Sequence, residues 1–153
     1  RDDYLSKIEL KPYVQELCDY LVRSVKGSVN DVKVNLDINN YKLSIDTVIP
    51  LGLIINETIT NALKYGIAEV QNGEIHVSVE KIDDNRYRMH LGDNGIGYSE
   101  EINPKTSNSL GLKLIYNLAR QLRGSITRDY AKKGTHYTIE FEEVIEQFNS
   151  VDQ

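Results

Sequence analysis

Pro50-Leu51-Gly52-Leu53-Ile54-Ile55-Asn56-Glu57-Thr58-Ile59-Thr60-Asn61-Ala62-Leu63-Lys64-Tyr65 is the stretch on which the fold turns. It reads as the body of a helix that begins after Asp46, a candidate N-cap, and runs to about Tyr65. The first half is apolar almost all round, the pattern of a buried helix. Glu57, Asn61 and Lys64 follow at helical spacing and share one face, while Val48, Leu51, Ile55, Ile59 and Ala62 form the far side. A carboxylate and an amide on a largely buried helix cost about 1–3 kcal/mol each if left unsatisfied. Two readings stay open: internal hydrogen bonding to neighbouring loops, or a site. In a site, Glu57 accepts a proton or orients a water, Asn61 offers an oxygen ligand suited to Mg2+, and Lys64 supplies a point charge for phosphate.

On the N-terminal side, apolar residues at Tyr13/Val14, Leu17, Tyr20/Leu21 and Val25 predict a helix over Leu10 to Val25, with Pro12 in its first turn. Val32, Val34, Leu36 and Ile38 alternate with polar residues, and so do Tyr41, Leu43 and Ile45; with Asn39-Asn40 between them they predict a hairpin. On the C-terminal side, Ile75 to Val79 and Tyr87 to Leu91 predict two strands around Asp83-Asp84-Asn85. Gly95 to Asn108 has no period and reads as a loop. A third helix is expected over Ser109 to Arg123, stopped by Gly124 as a C′ glycine, and then strands over Ile126 to Tyr130 and Thr135 to Glu143. Hairpins set between helices predict an α+β fold, a two-layer α/β sandwich whose mixed, mostly antiparallel sheet carries three helices on one face.

Three further constellations carry chemistry. Asp93-Asn94-Gly95-Ile96-Gly97 follows a strand, and Asp93 continues the inward register of Tyr87, Met89 and Leu91. Its carboxylate is an acceptor that wants a donor such as an exocyclic amine, while Gly95 and Gly97 let a flat ligand or a backbone come close; an ordinary tight turn fits the same residues. Ser109-Leu110-Gly111-Leu112 opens a helix, where backbone N–H groups face an anion or Ser109 serves only as N-cap. Gly134-Thr135 opens the last strand with Thr135 in inward register, where a hydroxyl is ordinarily bonded to backbone.

Composition bounds the rest. The 153 residues, 40% hydrophobic and 27% charged, fit one globular domain. Eighteen basic against 23 acidic residues give a net charge of -5, which points away from nucleic acid as a partner. The longest apolar run, Val48 to Ile55, falls well short of the ~20 residues of a spanning helix, so no membrane contact is expected. Cys18 is the one cysteine, so neither an internal disulfide nor a cysteine zinc site is available. No signal peptide is visible, and a chain that starts at Arg1 is expected to be a piece of a longer protein: residues 1–9 a remnant of an upstream region, 10–144 the domain and 145–153 a tail.

In this order the four elements resemble the GHKL ATP-binding superfamily, which comprises histidine-kinase catalytic domains, type II topoisomerases, MutL proteins and heat-shock chaperones. Asn56 to Tyr65 is similar to its N box, Asp93 to Gly97 to the first glycine box, Ser109 to Leu112 to the second, and Gly134-Thr135 to the closing G-T element. Pro50 to Glu57 and Asn108 to Ile115 are particularly similar to sensor histidine kinases that carry Glu in the N box. The resemblance spans roughly residues 10 to 143.

It implies roles position by position. Asp93 binds the adenine amino group of ATP, supported through water by Thr135, and Gly95, Ile96 and Gly97 line the adenine slot. Asn61 holds Mg2+ at the phosphates, Glu57 matches the general base, and Lys64 and Tyr65 lie along ribose and phosphates. Ser109, Leu110, Gly111 and Leu112 offer backbone to the phosphates beneath a short lid, roughly Tyr98 to Asn108, whose one cation is Lys105. Ser109 stands where many kinases have Gly, and Tyr98 is larger than the aliphatic residue expected there.

His76, His90 and His136 all fall on the outward register of predicted strands, so none reads as a phosphoacceptor. The implied partners are a dimerisation domain upstream that carries the acceptor histidine, and a response regulator; the implied location is the cytoplasm. A nucleotide-binding module without kinase activity and an anti-sigma-type serine kinase are the alternatives.

Overall fold

The computed structural model describes residues 7–26, 32–67, 72–97 and 110–145. In chain order these form β1 (Lys7–Glu9), α1 (Leu10–Lys26), β2 (Val32–Ile38), β3 (Lys42–Ser44), α2 (Ile45–Asn61) running into a π-helical turn (Ala62–Gly66), β4 (Gly73–Lys81), β5 (Arg86–Asp93), α3 (Leu110–Gln121), β6 (Ser125–Arg128) and β7 (His136–Glu142). Five strands form one sheet in the order β2-β4-β5-β7-β6; β2–β4 is parallel and the other pairs antiparallel. Val77, Leu91 and Tyr137, paired across three neighbouring strands, are buried beneath the helices. The other face is polar, with the cross-strand row Glu80–Arg88–Glu140 tied by Arg88 to Glu140 at 3.0 Å and to Glu80 at 3.4 Å. This is the mixed two-layer sandwich expected. Among the described residues, no helix is long and apolar enough to cross a membrane.

The expected hairpin of β2 and β3 does not form. β2 pairs in parallel with β4, whereas β3 pairs with β1 in a separate two-stranded sheet. Alternation fixes which face of a strand is buried but not its neighbour, and the three residues of β3 are too few to select a partner over β4. Lys7–Glu9, ahead of the expected boundary at Leu10, are thereby part of a sheet.

The helix ends also differ from expectation. Ser44, not Asp46, is the N-cap of α2, with extended φ and ψ of -62° and 152°. Its N–H donates to Glu143 Oε2 at 2.9 Å, so the acceptor at this helix start comes from the far end of the chain. Asp46 sits in the first turn, where its charge favours the helix dipole. α2 is the middle helix of a one-sided layer, so Ile45, Ile49 and Leu53 face outward instead of being buried. At the end of α3, Arg123 takes the left-handed position (φ 55°) and bonds Arg120 O, while Gly124 N–H reaches Ala119 O at 3.0 Å. Gly124 is required for space instead, because a Cβ there would strike the Glu140 carbonyl of β7. Residues 146–153 of the expected tail lie outside the described residues.

Candidate functional site

Asp93 ends β5, and strand register turns it inward. It is 3% exposed. Its Oδ1 accepts the Gly95 N–H at 2.8 Å and the Thr135 N–H at 3.4 Å, and its own N–H donates to Thr135 O at 3.1 Å. Burial pushes the carboxyl above its ordinary pKa; the two N–H donors, then His136 and Arg128, pull it part of the way back. Asn94 splints the turn: its Oδ1 accepts Glu74 N–H at 2.7 Å and its Nδ2 donates to Asn72 O at 3.0 Å.

The glycines after Asp93 serve packing. Ile96 N–H bonds Gly66 O at 2.9 Å, and a Cβ on Gly95 would hit that same carbonyl. Gly97 (φ 79°) and Gly134 (φ 88°) occupy left-handed backbone, and a Cβ on Gly134 would run into the Asp93 carbonyl. The end of α2, the start of β7 and the turn after β5 thus close into one corner around the carboxylate.

α2 brings the second group. Glu57 and Asn61 share a half-buried face, as the spacing predicts, and Asn61 Nδ2 donates to Glu57 Oε2 at 3.1 Å. The amide meets the carboxylate directly, so this hydrogen bond is internal to α2 rather than made to a neighbouring loop. After Asn61 the helix widens, with Ile67 N–H reaching back to Ala62 O at 2.8 Å. Such π turns recur at functional sites. This one presents Lys64 and Tyr65 to solvent and delivers Gly66 O to Ile96.

α3 closes over Glu57. A Cβ on Gly111 would collide with the Glu57 carboxylate, so the first turn of α3 lies directly on it. Leu112 is buried in the core, while Leu110 and Ile96 are exposed at 83% and 71%. Ser109, Tyr98 to Asn108 and Lys105 lie outside the described residues.

A cavity of about 10 Å³ separates α2 from the sheet, lined by Thr58, Ala62, Leu91, Asp93, Thr135 and Tyr137 among others. That is about the space of one water. Thr58 is satisfied inside its own helix, donating to Ile54 O at 2.9 Å.

Sequence reasoning missed Arg128. It ends β6 in register with Tyr137, on the inward face, with its guanidinium 4.5 Å from the Tyr130 ring centroid. A Cβ on Gly97 would lie 3.5 Å from its Nη2. The alternation of Ile126 and Arg128 carried the signal, since it puts a cation on a face that is otherwise apolar.

Among the described residues, no group of three His, Cys, Asp or Glu is placed to hold a metal. The donor set still suits Mg2+, which keeps several waters and takes few protein ligands. With Nδ2 committed to Glu57, Asn61 presents Oδ1 as a hard oxygen ligand. The three histidines stand on the helix-free face: His76 Nε2 is 3.3 Å from Glu74, His90 Nδ1 3.0 Å from Thr138 Oγ1, and His136 Nε2 2.7 Å from Lys133 O.

Comparison with known proteins converges on one family. Residues 46–145 match the model for the histidine kinase-, DNA gyrase B- and HSP90-like ATPases. Blue-light-activated histidine kinase 1 of Erythrobacter litoralis is 33% identical over 88 residues, covering 58% of this chain and 24% of that protein. The nitrate/nitrite sensor protein NarQ of Escherichia coli is 29% identical over 125 residues, covering 80% and 20%. The chain thus spans a quarter or less of these two relatives. The histidine kinase domain from the Erythrobacter litoralis EL346 blue-light activated histidine kinase shares the fold, with a TM-score of 0.78 at 21% identity over 89% of this chain and 62% of that one.

Proposed function

The chain belongs to the histidine kinase-, DNA gyrase B- and HSP90-like ATPase family, and from that premise we propose that it is the ATP-binding catalytic domain of a two-component sensor histidine kinase. It donates the γ-phosphate of ATP to a histidine on a dimerisation domain outside these residues, and a response regulator is the downstream acceptor. The observation that carries the reading is the corner around Asp93: a buried carboxylate whose Oδ1 is held by two backbone N–H groups beside a small cavity. Asp93 is then fixed as an acceptor for the adenine amine, with Thr135 beside it and Gly95, Ile96 and Gly97 as the floor under the base.

Glu57, Asn61, Lys64 and Tyr65 lie toward ribose and phosphates, and Leu110, Gly111 and Leu112, with Ser109 before them, offer backbone there. Asn61 Oδ1 and phosphate oxygens would hold Mg2+, which supplies charge neutralisation when bound. Catalysis by the chain's own groups is then positioning: the carboxylate of Glu57, oriented by Asn61 and covered by α3, accepts a proton or orients the attacking group. The test is calorimetric titration of the 153-residue chain with ATP, with and without Mg2+. Binding that tightens with Mg2+ is expected; no nucleotide binding in either condition overturns the reading.

A further inference from the structure

Packing does not explain the Tyr137 hydroxyl at this corner. The side chain is 4% exposed, and Oη, buried, has no hydrogen-bond partner. Two of the neighbouring polar atoms are already engaged, Thr58 Oγ1 by Ile54 O and Asp93 Oδ1 by the two N–H groups. An orphaned buried hydroxyl is destabilising by about 1–3 kcal/mol. The core does not need it. Tyr137, Ile139 and Phe141 alternate inward along β7, and Phe141, a plain ring, is fully buried at 0% exposure. Tyr137 is also among the residues that line the cavity of about 10 Å³, with Asp93 and Thr135, and that space accommodates about one water. Burial pushes the phenol pKa up to about 12, with Arg128 opposing and Tyr130 and Asp93 adding to the rise, so at neutral pH the group is a donor.

We propose that Tyr137 Oη is a specificity-determining donor at the purine end of the site, directly or through one water in the cavity. With Asp93 as acceptor it completes an acceptor–donor pair. Adenine matches that pair, because its exocyclic amine donates and the adjacent ring nitrogen accepts. Guanine presents the reverse, an accepting oxygen beside a donating ring N–H, and would set acceptor against acceptor. The proposal rests on the reading that the chain binds ATP, and it adds a residue whose hydroxyl favours ligand over fold.

The test is Tyr137→Phe, with the 153-residue chain titrated with ATP, GTP and 1-deaza-ATP and melted without ligand. In the variant the Tm stays level or rises, because an unsatisfied hydroxyl is gone. ATP affinity falls about three- to tenfold, GTP affinity does not fall, and 1-deaza-ATP, which lacks the accepting ring nitrogen, binds both proteins alike. Unchanged ATP affinity in the variant overturns the role of Tyr137 while leaving the nucleotide reading intact. A lower Tm with unchanged ATP/GTP preference also overturns it, since the hydroxyl would then serve the fold. A wild-type chain that binds neither ATP nor GTP overturns both readings.

Discussion

The two ends of α2 solve the same problem in opposite ways. At its start, buried polar groups are fully engaged. Thr47, 0% exposed, accepts the Val144 N–H at 2.7 Å and lies 2.8 Å from Ser44 Oγ. Ser44 Oγ donates to Val144 O at 2.7 Å, and Glu143 accepts from both Ser44 N–H and Lys7 Nζ. At its finish stand a carboxyl with a raised pKa, left-handed glycines and a phenol with no partner. The first end joins the edges of the domain: β1, β3 and the exit of β7 all meet there. The second holds polar capacity in reserve, at a cost to stability that a ligand can return. The contrast predicts that variants at the start change stability without affinity, and variants at the finish the reverse.

Asp93→Asn is the hardest test of that contrast. Asn keeps an oxygen for the Gly95 and Thr135 N–H groups but no longer offers a charged acceptor to a donor. ATP affinity should drop at least about a hundredfold, near 3 kcal/mol. The ligand-free Tm should hold or rise at neutral pH. The sign follows from the raised pKa: the folded state holds the proton more tightly than the unfolded one, so ionising Asp93 removes stability as pH climbs from the ordinary carboxyl range through the folded value. The stability advantage of the variant should therefore shrink on acidification, and ATP binding by the wild-type chain should weaken as pH falls through that same raised value. A variant that melts far lower at neutral pH would show that the charge is structural and break the comparison.

Thr47→Val makes the opposite demand. It removes the acceptor for the buried Val144 N–H and the neighbour of Ser44 Oγ, and should cost about 2 kcal/mol, or a Tm lower by about 6 °C, with ATP affinity unchanged. A loss of affinity as large as the loss of stability would mean that the two ends are not separable. Glu57→Gln is milder. The amide oxygen still accepts from Asn61 Nδ2, so ATP affinity should stay within about twofold, while phosphate transfer to an added acceptor domain slows about tenfold. Equal transfer rates would remove Glu57 from the chemistry and leave it as a partner of Asn61.

How far each end could be read in advance follows from what local sequence encodes. The inward register of Asp93 and Thr135 was legible because alternation through Met89, Leu91, Ile139 and Phe141 reports which face is buried. Glu57 and Asn61 were legible because helical spacing places them one above the other. The start of α2 was not: its N-cap acceptor, Glu143, lies 99 residues away, and no local pattern names it. The partners of β2 and β3 were hidden for the same reason. The π turn was hidden because Ala62 to Gly66 continues a helical composition, and the widening answers a tertiary demand, the bond from Ile96 N–H to Gly66 O. Arg128 was readable but overlooked, and the orphaned state of Tyr137 Oη is a property of packing that no residue pattern contains.

The smallest effect belongs to the edge of the satisfied end. Lys7 Nζ lies 2.8 Å from Glu143 Oε2, with side chains 40% and 8% exposed. The lysine is solvated and the carboxylate is not, so the two partners are not equivalent. Truncating the lysine leaves Glu143 with the Ser44 N–H and the dipole of α2, both of which favour its charge. Lys7→Met should therefore cost no more than about 0.5–1 kcal/mol, less as salt is added. Glu143→Met should cost more, because it strips the acceptor from the start of a helix whose own N-cap makes no side-chain cap bond. Thermal melts of the two variants at low and high salt measure the difference. Equal losses would mean that the ion pair, not the helix start, is what Glu143 serves; a larger, salt-insensitive loss for Glu143→Met would place the stability of this end in α2 itself.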